Sequence, residues 1–161
     1  MTEQDKKTLA ALNTISYGLY VISSKRGDRV NAQAGNSLFQ ITTSPRQIAL
    51  GINKSNYTCE FIHESGLLAI NVMKQDQIPL VKHFGLQSGR KVDKFAAVKY
   101  VTRTTGCPIL PEAHSFLDCR VLREKCVDCG SHMLFVCEVV EGEVLNPGEP
   151  LTYDYYRKNR Q

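Results

Sequence analysis

The chain has 161 residues, of which 42% are hydrophobic and 22% charged, and its formal net charge is +4. This is the length of one domain with its own core, so we expect a single domain over residues 1–161. The composition excludes a disordered, collagenous or coiled-coil protein. Because the basic residues are scattered, the dense basic stripe of a nucleic-acid-binding protein is absent, and the positive excess favours small anionic ligands.

The N-terminal residues 1–7 are polar, and no later stretch is apolar enough to cross a bilayer. We therefore expect a cytoplasmic protein that binds neither membrane nor nucleic acid. Without a secretory signal, the cysteines are expected to be thiols and not a disulfide framework. There are six of them: Cys59, Cys107, Cys119, Cys126, Cys129 and Cys137.

The first half of the chain mixes short strand patterns with short helix patterns, separated by Gly- and Asn-containing turns. The predicted elements, in order, are a helix over Thr8–Ile15, strands over Gly18–Ser23, Arg29–Ala34 and Gln47–Asn53, a helix capped by Thr58 and running to Glu64, a strand over Leu67–Met73, and a helix over Ile78–Phe84. A hairpin turn is predicted at 25–28, and Gly66 should end the second helix. Leu86–Lys94 is predicted to be a polar loop.

The second half is richer in strand patterns. Val98–Arg103 alternates like a strand, and after two prolines the sequence predicts a long hairpin of Ser115–Lys125 and His132–Leu145. Strands at this spacing, with only short helices between them, indicate a closed or nearly closed antiparallel β-barrel. The absence of a G-x-G-x-x-G motif argues against a parallel nucleotide-binding sheet.

Two polar segments are candidates for a ligand site. Residues 35–45 combine small hydroxyl and amide side chains with apolar Leu38, Phe39 and Ile41, a mixture that suits an amphiphilic ligand such as a flavin. Residues 53–58 join a strand to a helix, where free N–H groups, a lysine and hydroxyls can converge on a phosphate. The alternative for the first segment is a polar loop whose side chains cap its own backbone. The alternative for the second is a capped turn with a solvated lysine.

A rival site is the Cys126-x-x-Cys129 motif followed by His132, which has the ligand types of a zinc site or a redox pair. Structural zinc takes four ligands, and the chain contains no second C-x-x-C. A thioredoxin-type pair lies at a helix N-terminus, whereas this motif falls in a predicted hairpin turn. We therefore expect no metal site and retain a thiol or zinc protein as an alternative.

In their order along the chain, these segments resemble the flavin reductase-like family, which has the FMN-binding split-barrel fold. The resemblance includes the segment from Asn36 to Pro45, the strand and turn ending at Lys54, His83-Phe84-Gly85 with Lys94-Phe95 downstream, and Gly130-Ser131-His132. It implies a mainly β, antiparallel Greek-key split β-barrel with a few short helices.

The resemblance also implies a function, an FMN-binding NAD(P)H:flavin oxidoreductase. The cofactor-binding residues that it implies are Gln33, Ala34, Gly35, Asn36, Ser37, Gln40, Ile41, Thr42, Lys54, Ser55, Thr58 and Phe84. It implies a catalytic role for His132 beside the flavin and the nicotinamide. Hydride would pass from NADH or NADPH to flavin N5, and position would matter more than an acid or base of the protein.

The partners implied are flavin, nicotinamide and an electron acceptor such as a monooxygenase, a rubredoxin or a diiron protein. The resemblance further implies a homodimer, for which the aromatic tail at residues 153–157 is a candidate contact or pocket lid. A non-enzymatic FMN-binding electron-transfer module stays open as an alternative, and the polar loop residues Arg90 and Lys91 are candidates for choosing between NADH and NADPH.

Overall fold

A computed structural model describes all 161 residues, and it consists of eight strands in one antiparallel sheet with four short helices. The strands are β1 Tyr20–Arg26, β2 Arg29–Gly35, β3 Leu38–Thr43, β4 Arg46–Asn53, β5 Leu67–Val72, β6 Ser115–Val121, β7 Val127–Asp128 and β8 His132–Val144; the helices are α1 Glu3–Leu12, α2 Tyr57–Ser65, α3 Ile78–Gly85 and α4 Tyr153–Asn159. None of these helices has the length and apolar character needed to cross a membrane.

The sheet runs in the order β2-β1-β5-β6-β8-β4-β3, with β7 attached to β8. Strands β2 and β3 are thus its two edges, although only Asn36 and Ser37 separate them in sequence. Alternating residues of β4, β5 and β8, such as Ile48, Ile70 and Phe135, meet in one buried cluster, so the sheet curls around an interior. The curl stays open because β2 and β3 do not pair.

A second buried cluster lies outside the barrel, on the other face of β1 and β2. Val21 and Ala32 from these strands pack there with Phe84 of α3 and Phe95 of the following loop. The half-buried tyrosines of α4 pack against the same cluster. This second layer covers one edge of the sheet and leaves the other edge bare, and it creates the cavities described below.

Most of the predicted elements are confirmed, and four details are wrong. The strand predicted over Ser115–Lys125 ends at Val121, because residues 123–125 form a 3-10 helix. The first helix spans Glu3–Leu12 and not Thr8–Ile15, because Thr2 and Asp5 form a capping box that starts it earlier. Asn56, and not Thr58, holds the N-cap position of α2. The Val98–Arg103 segment is not a strand, since its only ladder contact is one bridge between Val101 and Ile109.

The aromatic tail forms helix α4, which the sequence interpretation did not assign. Thr152 accepts a hydrogen bond from the N–H of Tyr155 and so starts the helix, and Tyr153 and Tyr156 stack with ring centroids 6.3 Å apart. Residues 38–43, expected only as a polar segment, form the edge strand β3. The predicted turns at Gly27 and Gly66 are confirmed, and both glycines have positive φ angles of 58° and 67°.

Candidate functional site

Three adjoining cavities follow β2 along its covered side, and we call them together the trough. The apolar cavity of about 210 Å³ lies by Gly35 and Asn36, the polar cavity of about 280 Å³ by Asn31 and Gln33, and the basic cavity of about 580 Å³ by Asp28 and Arg29. Neighbouring cavities share lining residues, so the three lie side by side along β2. The outer wall is formed by α3, the loop of residues 86–95 and the tyrosines of α4.

The polar cavity is lined by hydroxyl and amide side chains from three parts of the chain. Strand β2 supplies Asn31 and Gln33, the turn before α2 supplies Ser55, and the loop after α3 supplies Ser88. Asn31 is buried, and its Nδ2 donates to Thr58 Oγ1 over 2.9 Å, so strand and helix are held together at the cavity floor. Such a lining presents both donors and acceptors to a ligand.

Gln33 carries the one buried side-chain polar atom without a hydrogen-bond partner, its Oε1. Its Nε2 donates weakly to the Ala34 carbonyl over 3.5 Å. A buried acceptor without a partner costs about 1–3 kcal/mol, and in native proteins such atoms are usually paired with a protein group or an ordered water. Gln33 therefore marks the polar cavity as a place where a ligand donor is expected.

Lys94 is a buried cation in the wall shared by the polar and basic cavities. Its Nζ donates to the carbonyls of Ala32 on β2 and Phe84 on α3, each over 2.8 Å. These bonds join the two walls of the trough. Burial lowers the pKa of Lys94 to about 8, because the charged ammonium loses solvation there.

The loop after α3 lies close against β2. A Cβ at Gly89 would be 2.0 Å from Asn31 Oδ1, a contact that no side chain tolerates, so glycine permits this approach. The loop is anchored at its other end by His83, whose Nε2 lies 2.7 Å from the Lys94 carbonyl oxygen. The loop is thus fixed as a wall of the trough at both ends.

Several of the predicted cofactor residues come together in the trough. They are Gln33, Ala34, Gly35, Asn36, Ser55, Thr58 and Phe84. The ring of Phe84 is fully buried against Phe95 and His83, so it supports the wall.

The remaining predicted residues lie outside the trough. Gln40, Ile41 and Thr42 stand on the edge strand β3, and Ser37 is exposed before it. Lys54 lies in the same turn as Ser55, but its side chain points to a different side of α2. There its Nζ donates to the Asp128 carboxylate over 2.6 Å. The positive charge of Lys54, which was expected to face a phosphate, is therefore paired with Asp128.

His132 begins β8 opposite Asn53, at the barrel end where the Ser55 turn lies. Its ring is exposed, and its Nδ1 lies 2.9 Å from Ser131 Oγ. In a single chain it is not part of the trough. Its catalytic role remains a prediction.

Sequence reasoning did not select Asn31, Gly89 or Arg29 as lining residues, and it noted Lys94 only for the resemblance. Asn31 could have been found from its place in the strand pattern, since it alternates with Arg29 and Gln33 along β2. Of the loop residues, Arg90 and Lys91 were named only as candidates for choosing the nicotinamide, and Gly89 gave no signal, because its approach to β2 depends on the packing of α3.

The six cysteines are free thiols in the structure. Burial raises the pKa of Cys107 to about 11 and of Cys137 to about 12, so both stay protonated at neutral pH. Cys126 is half-buried, and Cys129 is exposed; their sulfurs lie near the carbonyls of Leu122 and Val127. No group of three or more His, Cys, Asp or Glu side chains is arranged to hold a metal ion.

A family model described as a flavin reductase-like domain matches residues 12–160. The chain belongs to the flavin reductase-like family. Among its relatives, the high molecular weight rubredoxin of Moorella thermoacetica is 42% identical over 92% of this chain and 65% of that protein. The ferric-chelate reductase (NAD(P)H) of Archaeoglobus fulgidus is 38% identical over 91% of this chain and 87% of that protein.

The fold of this flavin reductase-like chain also matches solved structures. The FMN-binding protein of Thermus thermophilus superposes with a TM-score of 0.75 at 23% identity, covering 81% of this chain and 72% of that one. The predicted split-barrel fold is confirmed by this likeness and by the strand order. At the coarse level given by the family, the chain is an oxidoreductase domain that acts with flavin. It spans somewhat less than two thirds of the Moorella protein.

Proposed function

We propose that this flavin reductase-like chain binds FMN in the trough and reduces it with NADH or NADPH. The observation that carries the proposal is Gln33, which lines a cavity of amides and hydroxyls and whose buried Oε1 has no hydrogen-bond partner. The flavin pyrimidine ring carries an N–H donor that can satisfy such an acceptor. The residues therefore fit the cofactor.

The succession of cavities suits the parts of FMN. The apolar cavity, with Leu19, Val81 and Tyr156 in its wall, can take the apolar side of the ring system. Ser55, Thr58 and Ser88 can take the ribityl hydroxyls and the phosphate. Ser55 lies just before helix α2, whose free N–H groups favour an anion.

When bound, FMN supplies two-electron redox chemistry, in which its N5 accepts a hydride from the C4 of the reduced nicotinamide. The chain contributes binding and orientation. The stacked tyrosines of α4 and the loop at residues 86–95 limit water access to the trough. Lys94 holds β2 and α3 at a fixed distance. No side chain in the trough is required as an acid or base.

We retain the other predicted residues as part of this proposal: Ser37, Gln40, Ile41, Thr42, Lys54 and His132. They lie at the open split and at the barrel end beside the trough. A homodimer, proposed from the resemblance, would have to cover these positions for them to contact the cofactor. Sedimentation of the purified protein tests the dimer, and a monomer at working concentration contradicts it.

The nicotinamide donor and the electron acceptor are proposed from named relatives. The Archaeoglobus protein is named for NAD(P)H and for ferric chelates, which suggests both a donor and an acceptor. The Moorella relative is named a rubredoxin, and this chain is proposed to pass electrons to a rubredoxin-type partner, with a monooxygenase or a diiron protein as other acceptors. Both relatives match the chain over nine tenths of its length.

The test is the visible spectrum of the protein with FMN under anaerobic conditions, before and after addition of NADH or NADPH. Bleaching of the bound flavin by either nicotinamide supports the reductase. A bound flavin that neither nicotinamide bleaches supports the second candidate, a non-enzymatic electron-transfer module. If FMN does not bind, the proposal is wrong, and a thiol or metal role for Cys126 and Cys129 becomes the next hypothesis to test.

A further inference from the structure

The mouth of the apolar cavity carries a hydrophobic side chain that is held in solvent. Leu86 is 75% exposed, and among the large hydrophobic residues only Met1 is more exposed. Its backbone N–H donates to the Lys82 carbonyl over 2.9 Å, so its position just after α3 is fixed. Half-buried Tyr153 and Tyr156 of α4 line the same cavity, and we call these two tyrosines and Leu86 the mouth patch. An exposed apolar patch at a cavity is typical of a surface that binds a partner.

Three cations surround the mouth patch. The guanidinium groups of Arg157 and Arg160 each lie 6.0 Å from the ring centroid of one patch tyrosine. Lys82 lies four residues before Leu86, which places both side chains on one face of α3. None of the three cations forms an ion pair. The apolar centre of this surface therefore has a cationic rim.

The helices that carry these cations supply no free carboxylate. Helix α3 contains no Asp or Glu, and the one acid of α4, Asp154, pairs with Lys158 over 2.6 Å. The positive charge of the rim is thus uncompensated by its own helices. Such a rim attracts a negatively charged protein surface, and the attraction weakens as salt is added.

The mouth patch lies where the proposed function places the apolar side of the flavin ring. All three of its side chains line that cavity, so a protein seated on them is separated from the ring by these side chains alone. A hydride donor must enter the trough, whereas a one-electron carrier needs only such a close approach. Transient redox complexes are small, with less than about 1,200 Å² buried, and combine an apolar centre with a polar rim.

We propose that the mouth patch and its cationic rim are the docking surface for a small acidic one-electron carrier protein. Leu86 and the two tyrosines make the apolar contact, and Lys82, Arg157 and Arg160 bind carboxylates of the carrier. Two oxidised carriers in turn each take up one electron from one reduced flavin, which is thereby oxidised and releases two protons. The choice of partner rests on the proposed function, in which this chain passes electrons to a rubredoxin-type protein.

The first experiment measures docking without turnover. A purified, oxidised rubredoxin with a net negative charge is titrated by calorimetry into the chain, with and without FMN, at roughly 20 mM and 200 mM salt. The rim variant is Lys82→Glu with Arg160→Glu. The matched control is Arg120→Glu with Lys125→Glu, two exposed cations outside the trough that form no ion pair.

We expect the wild type and the control to bind rubredoxin alike, with an affinity that falls as salt is raised. The rim variant should bind at least about tenfold more weakly at the lower salt concentration, because four units of charge at the contact change sign. Equal affinity in all three proteins, or no binding to the wild type, overturns the docking surface.

The second experiment separates docking from flavin chemistry. Under anaerobic conditions, kcat/KM for rubredoxin should fall at least about tenfold in the rim variant. Bleaching of FMN by the nicotinamide and reduction of benzoquinone, a small neutral acceptor that needs no docking, should keep their wild-type rates. Slower bleaching in the rim variant would mean that these cations serve the trough, and a changed sedimentation coefficient would assign the surface to a second copy of the chain; either result overturns the proposal.

The two proposals fail in different ways. If FMN does not bind the wild type, the proposed function is wrong, while calorimetry on the chain without FMN still decides whether an acidic carrier docks at the mouth patch. If FMN binds and is bleached by the nicotinamide, but rubredoxin binds the wild type no better than the rim variant, the docking surface is wrong and the proposed function stands.

Discussion

The two edges of the sheet, β2 and β3, are treated differently by the rest of the chain. Beside β2 stand α3, the loop at residues 86–95 and α4, and residues along its length line the trough. On β3 the large side chains are left in solvent, with Phe39 59% and Ile41 45% exposed. The two edges differ in how far they are covered, although β2 and β3 are consecutive strands in the sequence.

The difference shows what makes a site in this fold. A strand edge alone offers polar backbone atoms but no concavity, whereas a second layer standing beside it creates an enclosed space. On β3 the ladder is interrupted by a register shift between Gln40 and Thr42, which limits pairing with another chain. Paired substitutions, one beside the trough and one on β3, test whether the covered edge alone binds the cofactor.

The largest expected effect compares two phenylalanines. Phe84→Ala removes a fully buried ring from the layer beside β2 and should cost about 3–5 kcal/mol of unfolding free energy. Phe39→Ala, on the bare edge, should cost less than about 1 kcal/mol. Denaturant unfolding measures both. A cost at Phe39 equal to that at Phe84 would mean that β3 is covered in solution.

Two threonines give the next effect. Thr58→Val leaves the Asn31 amide without its acceptor in a buried site, which should cost about 1–3 kcal/mol and weaken FMN binding about tenfold. Thr42→Val, on β3, loses only an exposed local contact with Ser44, so its stability should change little, and its FMN affinity should change little where the trough of a single chain alone holds the cofactor. Fluorescence titration with FMN measures the affinity of both variants. A greater loss of FMN affinity at Thr42 would place the cofactor across the split.

Lys94 gives a pH dependence. Because burial lowers its pKa to about 8 and a bound phosphate favours the ammonium, FMN affinity should fall up to about tenfold as the pH rises beyond about 8. Lys94→Arg keeps the charge and should remove this decline, and Lys94→Met should bind weakly at every pH. Titrations across this range measure the effect; an identical decline in the arginine variant would assign the pH dependence to another group.

The free energy of unfolding of the ligand-free protein should rise with pH over this range, whereas FMN affinity falls. The unfolded chain retains the lysine proton up to its ordinary pKa of 10.5, whereas the folded chain releases it near 8. Between these values the unfolded state binds more protons, so the unfavourable contribution of Lys94 diminishes as the pH rises. Urea unfolding of the wild type and Lys94→Met across this interval isolates the effect.

The smallest effect concerns the Lys54–Asp128 ion pair. Both side chains are well exposed, and the pKa of Asp128 is lowered by its hydrogen bond from Lys54. Such a pair contributes about 0–1 kcal/mol, so Lys54→Met and Asp128→Asn should alter unfolding only slightly. FMN affinity should be retained by Lys54→Met if the trough alone binds the phosphate. A tenfold loss would show that Lys54 leaves Asp128 to bind the cofactor.

The sequence predicted the barrel because strand periodicity is a local property. Alternating Ile48, Leu50 and Ile52 all point into the interior, as the pattern indicated. The same holds for the turns at Gly27 and Gly66, where one residue type decides the backbone conformation.

The sequence did not predict the trough as a whole, because its walls come together through packing between distant segments. Lys94 reaches the carbonyl of Ala32, and Gly89 approaches Asn31, across 62 and 58 residues of sequence. Lys54 shows the converse case. The sequence predicted that its charge faces a phosphate, whereas in the structure its side chain is hydrogen-bonded to Asp128. Neither outcome is encoded in local spacing.

The distribution of the thiols makes this protein convenient for site-selective chemistry. Cys129 is the one exposed cysteine of six, on the short turn before β8, and the interior thiols are held protonated by burial. A maleimide dye at neutral pH should therefore label Cys129 before half-buried Cys126 and the buried thiols, without mutagenesis. Energy transfer from that dye to a bound flavin would report occupancy of the trough in real time.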